Sequence, residues 1–160
     1  MRAVTATPNA RLTGLVTGHP AEKGKKFGGM YGVPETSVYT YETFDRIRDN
    51  AAIEAVYIAL PNSMHCEYVV RAAEAGKHVF CEKPMAISSA ECRRMIETCR
   101  RAKVKLMVGY RIHYDATFLK LREMVRAGGL GEIQSYHGGF SGCETSSSGG
   151  WIGSFRVGGR

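Results

Sequence analysis

The stretch Ala75-Gly76-Lys77-His78-Val79-Phe80-Cys81-Glu82-Lys83-Pro84-Met85 sets a carboxylate and an amine side by side directly after an apolar run. Val79, Phe80 and Cys81 read as a short strand entered from a glycine turn, and Pro84 stops strand pairing just after Lys83. Glu82 and Lys83 are therefore expected at a carboxyl-terminal strand edge, where open parallel α/β sheets bind their ligands. A lysine held there beside a carboxylate can give or take a proton, because its pKa moves readily once it is partly desolvated. On residue types alone, the alternative is a surface Glu-Lys pair at a turn.

The elements that must position this pair alternate apolar and amphipathic runs in a βαβα rhythm, which predicts a parallel sheet covered by helices. Residues 12–17 form the first strand-like run and 21–31 the helix after it; 38–41 read as a short strand or an extended link and 43–48 as a short helix. The continuous apolar run 55–60 suits a fully buried strand. Residues 63–75 carry Cys66, Val69, Val70 and Ala73 on one helical face and stop at Gly76. A helix over 88–103 follows, with Ser88 or Ser89 as N-cap and Glu91 close behind, then a strand over 105–109 and a helix over 117–127 ending at Gly128-Gly129. Residues 133–140 could begin a new strand, and 141–150 are loop-like in composition, with Trp151 and Phe155 left to anchor the tail.

One hundred and sixty residues suit a domain of ordinary size, and 44% hydrophobic with 23% charged residues indicates neither disorder nor a membrane span. The net charge of +7 comes from 22 basic against 15 acidic residues. The basic residues are spread over helix-like segments rather than interleaved with aromatics, so a solvated face is expected and no nucleic-acid partner. Five cysteines, Cys66, Cys81, Cys92, Cys99 and Cys143, form no paired motif and read as reduced thiols used as small hydrophobes. His78 and Cys81 have a spacing a metal could use, but no second pair completes four ligands, so no metal is expected. The first eight residues carry no signal-peptide core, which makes a reducing cytoplasm the expected setting.

Glu82-Lys83-Pro84, the preceding Ala75-Gly76-Lys77-His78-Val79, the earlier Leu60-Pro61-Asn62-Ser63-Met64-His65 and the later Gly109-Tyr110-Arg111 together resemble the Gfo/Idh/MocA family of NAD(P)-dependent oxidoreductases. The likeness runs from about residue 11 to residue 134, and 57–114 especially resembles the glucose-fructose oxidoreductase branch. It implies hydride transfer between a nicotinamide and a carbon of a sugar or polyol. It also implies that Lys83 hydrogen-bonds the reacting oxygen and that Glu82 lies beside the nicotinamide ribose; the other reading of Glu82 is a partner that only keeps Lys83 charged. A cation near a developing alkoxide stabilises charge, and the same ammonium can protonate a carbonyl as it is reduced. Pro61, Asn62 and His65 are implied to lie under the nicotinamide side, although a helix cap is the commoner use of Pro61-Asn62-Ser63. Arg111 matches a family arginine near the nicotinamide; its other reading is a surface charge. In His113-Tyr114-Asp115-Ala116 the alanine stands where the family has a proline, which leaves the backbone direction there open.

The end of the second strand of this fold selects the cofactor, since a carboxylate there favours NAD and small hydroxyls with a cation favour the 2′-phosphate of NADP. Here stand Thr17-Gly18-His19 and then Lys23, with no acid at the strand end, so NADP is expected and NAD is the alternative. Tyr41 resembles the tyrosine near the adenine in the glucose-fructose branch; its other reading is core packing.

The sequence holds no G-x-G-x-x-G turn between a strand and a helix. The expected architecture is an incomplete Rossmann-like parallel sheet with helices on both faces over residues 1–116, its first strand missing. The start of a second α+β domain over 117–160, truncated, follows. In the strand order 3-2-1-4-5-6 the first strand lies between the runs 12–17 and 55–60. Those runs then either pair directly, receive another chain, or leave the fold impaired. For a full-length family member the resemblance implies a homo-oligomer. An inactive fragment or pseudoenzyme of the same family is the competing expectation.

Overall fold

A computed structural model describes residue 4, residues 6–139 and residues 152–155. Cys143, Trp151 and the run 141–150 lie outside the described residues. The chain forms two compact units, Met1–Tyr110 and Arg111–Arg160.

In the first unit β1 (Leu15–Val16) leads through a π-helical turn (Pro20–Gly24) into α1 (Lys25–Tyr31) and then β2 (Val38–Tyr39). A 3-10 turn (Phe44–Asp49) precedes β3 (Ala55–Ile58), α2 (Asn62–Glu74), β4 (His78–Cys81), α3 (Ser89–Arg101) and β5 (Leu106–Val108). All strand pairs in this unit are parallel, in two sheets ordered β1-β2 and β3-β4-β5. Among the described residues β1 does not pair with β3, so direct pairing of the two runs is not the outcome realised.

Local signals stop and start the helices. At the end of α2, Gly76 adopts φ 75°, and the amides of Gly76 and Lys77 bond back to Ala73 and Ala72 at 2.9 and 3.0 Å. That left-handed C-terminal turn is the conformation glycine takes without steric cost. Ser88 caps α3 by accepting from the Glu91 amide at 3.2 Å, while the Glu91 carboxylate accepts from the Ile87 amide at 3.3 Å.

Along β4, Val79 and Cys81 are buried and His78 and Phe80 exposed, the period-2 pattern of a strand covered on one face. α2 and α3 supply that cover, with Val69, Ala72, Ala73, Met95 and Cys99 packed in one core with Ile58, Val79 and Cys81. Each fully buried valine, isoleucine or methionine among them stabilises the unit by about 1.5–3 kcal/mol. The apolar run 55–60 is not the fully buried strand expected from its composition. Ile58 is buried and Val56 half-buried, whereas Ala55 and Tyr57 are exposed. The reason lies in the opposite face, where Tyr57, Phe80 and Met107 stand in register across the three strands and remain exposed.

The second unit opens with a 3-10 turn (Arg111–Tyr114) and continues into α4 (Ala116–Arg126). Asp115 caps α4, its carboxylate accepting from the amides of Thr117 and Phe118 at 2.9 and 3.4 Å. The run 133–140 yields β6 (Tyr136–Gly139), which pairs antiparallel with β7 (Ile152–Phe155). Among the described residues the strand pairing of this unit is thus antiparallel, unlike that of the first. No helix among the described residues is long and apolar enough to cross a membrane.

Candidate functional site

At the end of β1, the Thr17 amide donates to the Tyr39 carbonyl at 3.0 Å and its hydroxyl accepts from the His19 amide at 3.1 Å. The chain then turns through Gly18, where an added Cβ would lie 3.4 Å from the Tyr41 ring. A side chain at this position would therefore just meet the ring in ordinary van der Waals contact. Lys23 follows in the π turn, exposed, with Lys25 and Lys26 exposed after it and Glu22 beside it. Thr17, Gly18 and Tyr41 are thus brought together, with Lys23 one turn on.

The turn carrying Tyr41 is itself held from a distance. Thr40 and Thr43 exchange amide-to-hydroxyl bonds at 2.9 and 3.2 Å. The Tyr41 ring meets Tyr68 edge-on at 5.6 Å. Arg71 donates to the Tyr41 carbonyl at 3.0 Å and to both oxygens of Asp45 at 2.9 and 3.1 Å, and its guanidinium lies against the rings of Phe44 and Tyr68. Sequence reading missed Arg71, because neither spacing nor motif ties it to Tyr41.

The second cluster lies at the carboxyl ends of β3, β4 and β5, the ligand edge of a parallel sheet. Pro61, with extended backbone, directs the chain into α2, and Asn62 is the first helical residue. No side-chain cap bond is made at this helix start, and Asn62 is exposed. The cap reading of Pro61-Asn62-Ser63 is therefore not realised, and the Asn62 amide remains at the edge with both its donor and its acceptor. After β4, the Glu82 carboxylate accepts from the Tyr57 hydroxyl and, through its other oxygen, from the Lys83 amide at 3.2 Å. These bonds, the Tyr57 one first, hold the Glu82 carboxyl below the usual range, with the charges of Lys83 and His65 acting in the same direction. The same contact pushes the Tyr57 phenol up to about 12. Lys83 is exposed, and none of the ion pairs among the described residues involves it. Tyr57 carried no signal in the sequence, because its partner stands on the next strand.

His65 requires a correction. It is 1% exposed, and its two ring nitrogens lie 2.9 Å from the carbonyl oxygens of Leu60 and Pro84. A buried imidazole with both nitrogens engaged has no edge to offer a cofactor. It braces the loop after β3 against the loop after β4, placing the segments that carry Asn62 and Lys83. Lys77 likewise points away from the edge, buried and donating to the Asn50 carbonyl at 3.0 Å. Cys81 is fully buried and its thiol is pushed up to about 11 by desolvation, which leaves it a small hydrophobe. Arg111 opens the second unit on its 3-10 turn and is exposed there.

A ring-lined glycine turn with hydroxyl and ammonium groups follows β1, and a carboxylate, an amide and an ammonium with no ion pair among the described residues stand at the carboxyl ends of β3 and β4. These groups suit the ribose and amide parts of a dinucleotide, while the sequence holds no G-x-G-x-x-G turn for its pyrophosphate. The Gfo/Idh/MocA family profile, described as an oxidoreductase family with an NAD-binding Rossmann fold, matches residues 1–110. The crystal structure of aldose-aldose oxidoreductase from Caulobacter crescentus, complexed with glycerol, is 47% identical with a TM-score of 0.77, covering 84% of this chain and 39% of that one. Inositol 2-dehydrogenase of Rhizobium meliloti is 32% identical over 133 residues, 83% of this chain and 38% of its own length. D-xylose 1-dehydrogenase (NADP(+)) of Haloarcula marismortui is 37% identical over 99 residues, 62% of this chain and 28% of its own. The chain thus spans less than two fifths of the length of these relatives. With its parallel βαβ units and the matched profile, this chain belongs to the Gfo/Idh/MocA family of oxidoreductases and carries the NAD(P)-binding Rossmann-type fold of that family.

Proposed function

We propose that this chain is the cofactor-domain portion of an NADP-dependent oxidoreductase acting on an aldose or polyol, with Lys83 as the proton-transfer group. Support comes first from the placement of Lys83. It follows β4 at the ligand edge, is exposed, and makes no ion pair among the described residues, while the neighbouring carboxylate is committed to Tyr57 and to the backbone. An ammonium in that state can hydrogen-bond a sugar oxygen and pass it a proton, and its charge stabilises an alkoxide. NADP, when bound, supplies or accepts the hydride. Asn62 and Glu82 would hold the ribose and carboxamide at this edge, with Pro61 setting the turn. At the other edge Thr17, Gly18 and Tyr41 would hold the adenosine, and Lys23 its 2′-phosphate. Sugar or polyol substrates are supported by the names of the relatives, aldose, inositol and xylose enzymes among them. The free thiols Cys66, Cys81, Cys92 and Cys99 support a reducing cytoplasmic setting.

The test is oxidation of a panel of aldoses and polyols by the whole protein with NADP, followed as NADPH absorbance. Lys83→Ala should lose on the order of 10²-fold or more in kcat, the range for a positioned acid/base group. Near-normal turnover in that variant would rule out the role given to Lys83.

A further inference from the structure

We propose that Tyr57 and Gly109 are positioning residues that hold the Glu82 carboxylate in a slot between the ends of β3 and β5, and thereby leave the Lys83 ammonium free for the reacting oxygen. The proposal rests on the role given to Lys83 above. Three successive strands of one sheet frame the carboxylate: Tyr57 from β3, Glu82 itself after β4, and Gly109 after β5. Tyr57 and Phe80 are register partners whose rings lie 5.0 Å apart, which aims the phenol along the sheet edge toward Glu82. On the other side, a Cβ at Gly109 would stand 3.4 Å from Glu82 Oε2 and 3.6 Å from its Cδ. An alanine would just touch the carboxylate there, and a branched side chain would enter its space.

The consequence concerns the residue next door. An adjacent glutamate and lysine at a strand end are natural ion-pair partners, and a paired ammonium must break that contact to reach a substrate. Here each Glu82 oxygen already accepts a hydrogen bond that fixes its direction, one from the Tyr57 hydroxyl and one from the Lys83 amide. Lys83 keeps the field of a nearby carboxylate without being tied to it. The charged groups acting on Glu82 are Lys83 and His65, and those acting on Tyr57 are Glu82 and Cys81. Loss of the phenol should therefore raise the Glu82 carboxyl toward its ordinary value and leave its Oε1 without the contact that holds the carboxylate in the slot.

The experiment compares Tyr57→Phe with the unaltered whole protein by carbon-13 NMR of glutamate carboxyls across acid pH, with the Glu82 signal assigned through Glu82→Gln, together with steady-state kinetics. The expected result is an upward shift of the Glu82 titration and a loss on the order of tenfold in kcat, with the sugar KM little changed. Gly109→Val, which keeps the phenol but crowds the slot, should lower kcat in the same way, and it carries the test if Tyr57→Phe folds poorly. An unmoved Glu82 titration in Tyr57→Phe would overturn the proposal, and so would a moved titration with unchanged kcat. If Lys83→Ala keeps normal turnover while Tyr57→Phe still shifts Glu82, the assignment of Lys83 fails and the holding of Glu82 by Tyr57 stands.

Discussion

Replacing Arg71 by methionine keeps the aliphatic stem and removes the guanidinium, and it should loosen the turn that carries Tyr41. Three kinds of contact are lost together. The ion pair with Asp45 is short, at 2.9 Å, but the Asp45 side chain is 60% exposed, and a pair so exposed contributes no more than about 1 kcal/mol. The guanidinium lies 5.1 Å from the Phe44 ring centre and 5.0 Å from that of Tyr68, contacts of roughly 0.5–1 kcal/mol each. Its hydrogen bond to the half-buried Tyr41 carbonyl, at 3.0 Å, contributes about 1.5–3 kcal/mol, part of which hydration returns. Arg71→Met should therefore cost about 2–4 kcal/mol in urea unfolding near neutral pH, against less than about 1 kcal/mol for Asp45→Asn. Asp45 is held below its ordinary carboxyl value, first by the Arg71 hydrogen bond. Its stabilisation is thus complete above the ordinary carboxylate range and is lost as the pH falls through the lowered folded value; Asp45→Asn should lack that acid-side loss. An Asp45→Asn cost equal to that of Arg71→Met would refute the reasoning, since the ion pair alone would then hold the turn.

Fluorescence titration of the 160-residue chain should show weak or no NADPH binding, because no G-x-G-x-x-G turn is present to receive the pyrophosphate; micromolar affinity would contradict this. Any binding that does occur should favour NADPH over NADH through Thr17 and Lys23, and the opposite order would remove the NADP assignment. Lys103, just past α3, has φ 56°, a left-handed conformation that costs a side chain roughly 1 kcal/mol, so Lys103→Gly should raise stability by about that amount in urea unfolding; a loss of stability would count against it. Hydrogen exchange should be faster at the amides of β1 and β3, which do not pair with each other, than at β4, which is flanked on both sides. Uniform strong protection from β1 through β5 in a monodisperse monomer would show that the two strand edges are closed.

Much of the first unit is local and therefore legible in the chain. The Gly76 stop, the Ser88 cap with Glu91 and the alternation of βαβ elements depend on backbone conformation and residue period within a few positions. The Glu82-Lys83-Pro84 turn at a sheet edge follows from the same kind of signal. Folding decided which side chains meet across strands and helices. Tyr57 reaches Glu82 from 25 residues away, and Arg71 reaches Tyr41 from 30. His65 stands in a recognisable motif, yet packing against Pro84, 19 residues on, engages the ring nitrogen that Leu60 leaves open and removes it from the ligand edge. The exposure of Tyr57 beside buried Ile58 likewise depends on which face α2 and α3 cover. Apolar composition states only that surface will be buried; the direction of burial, and hence the partner of each polar atom at the site, is set when the helices dock.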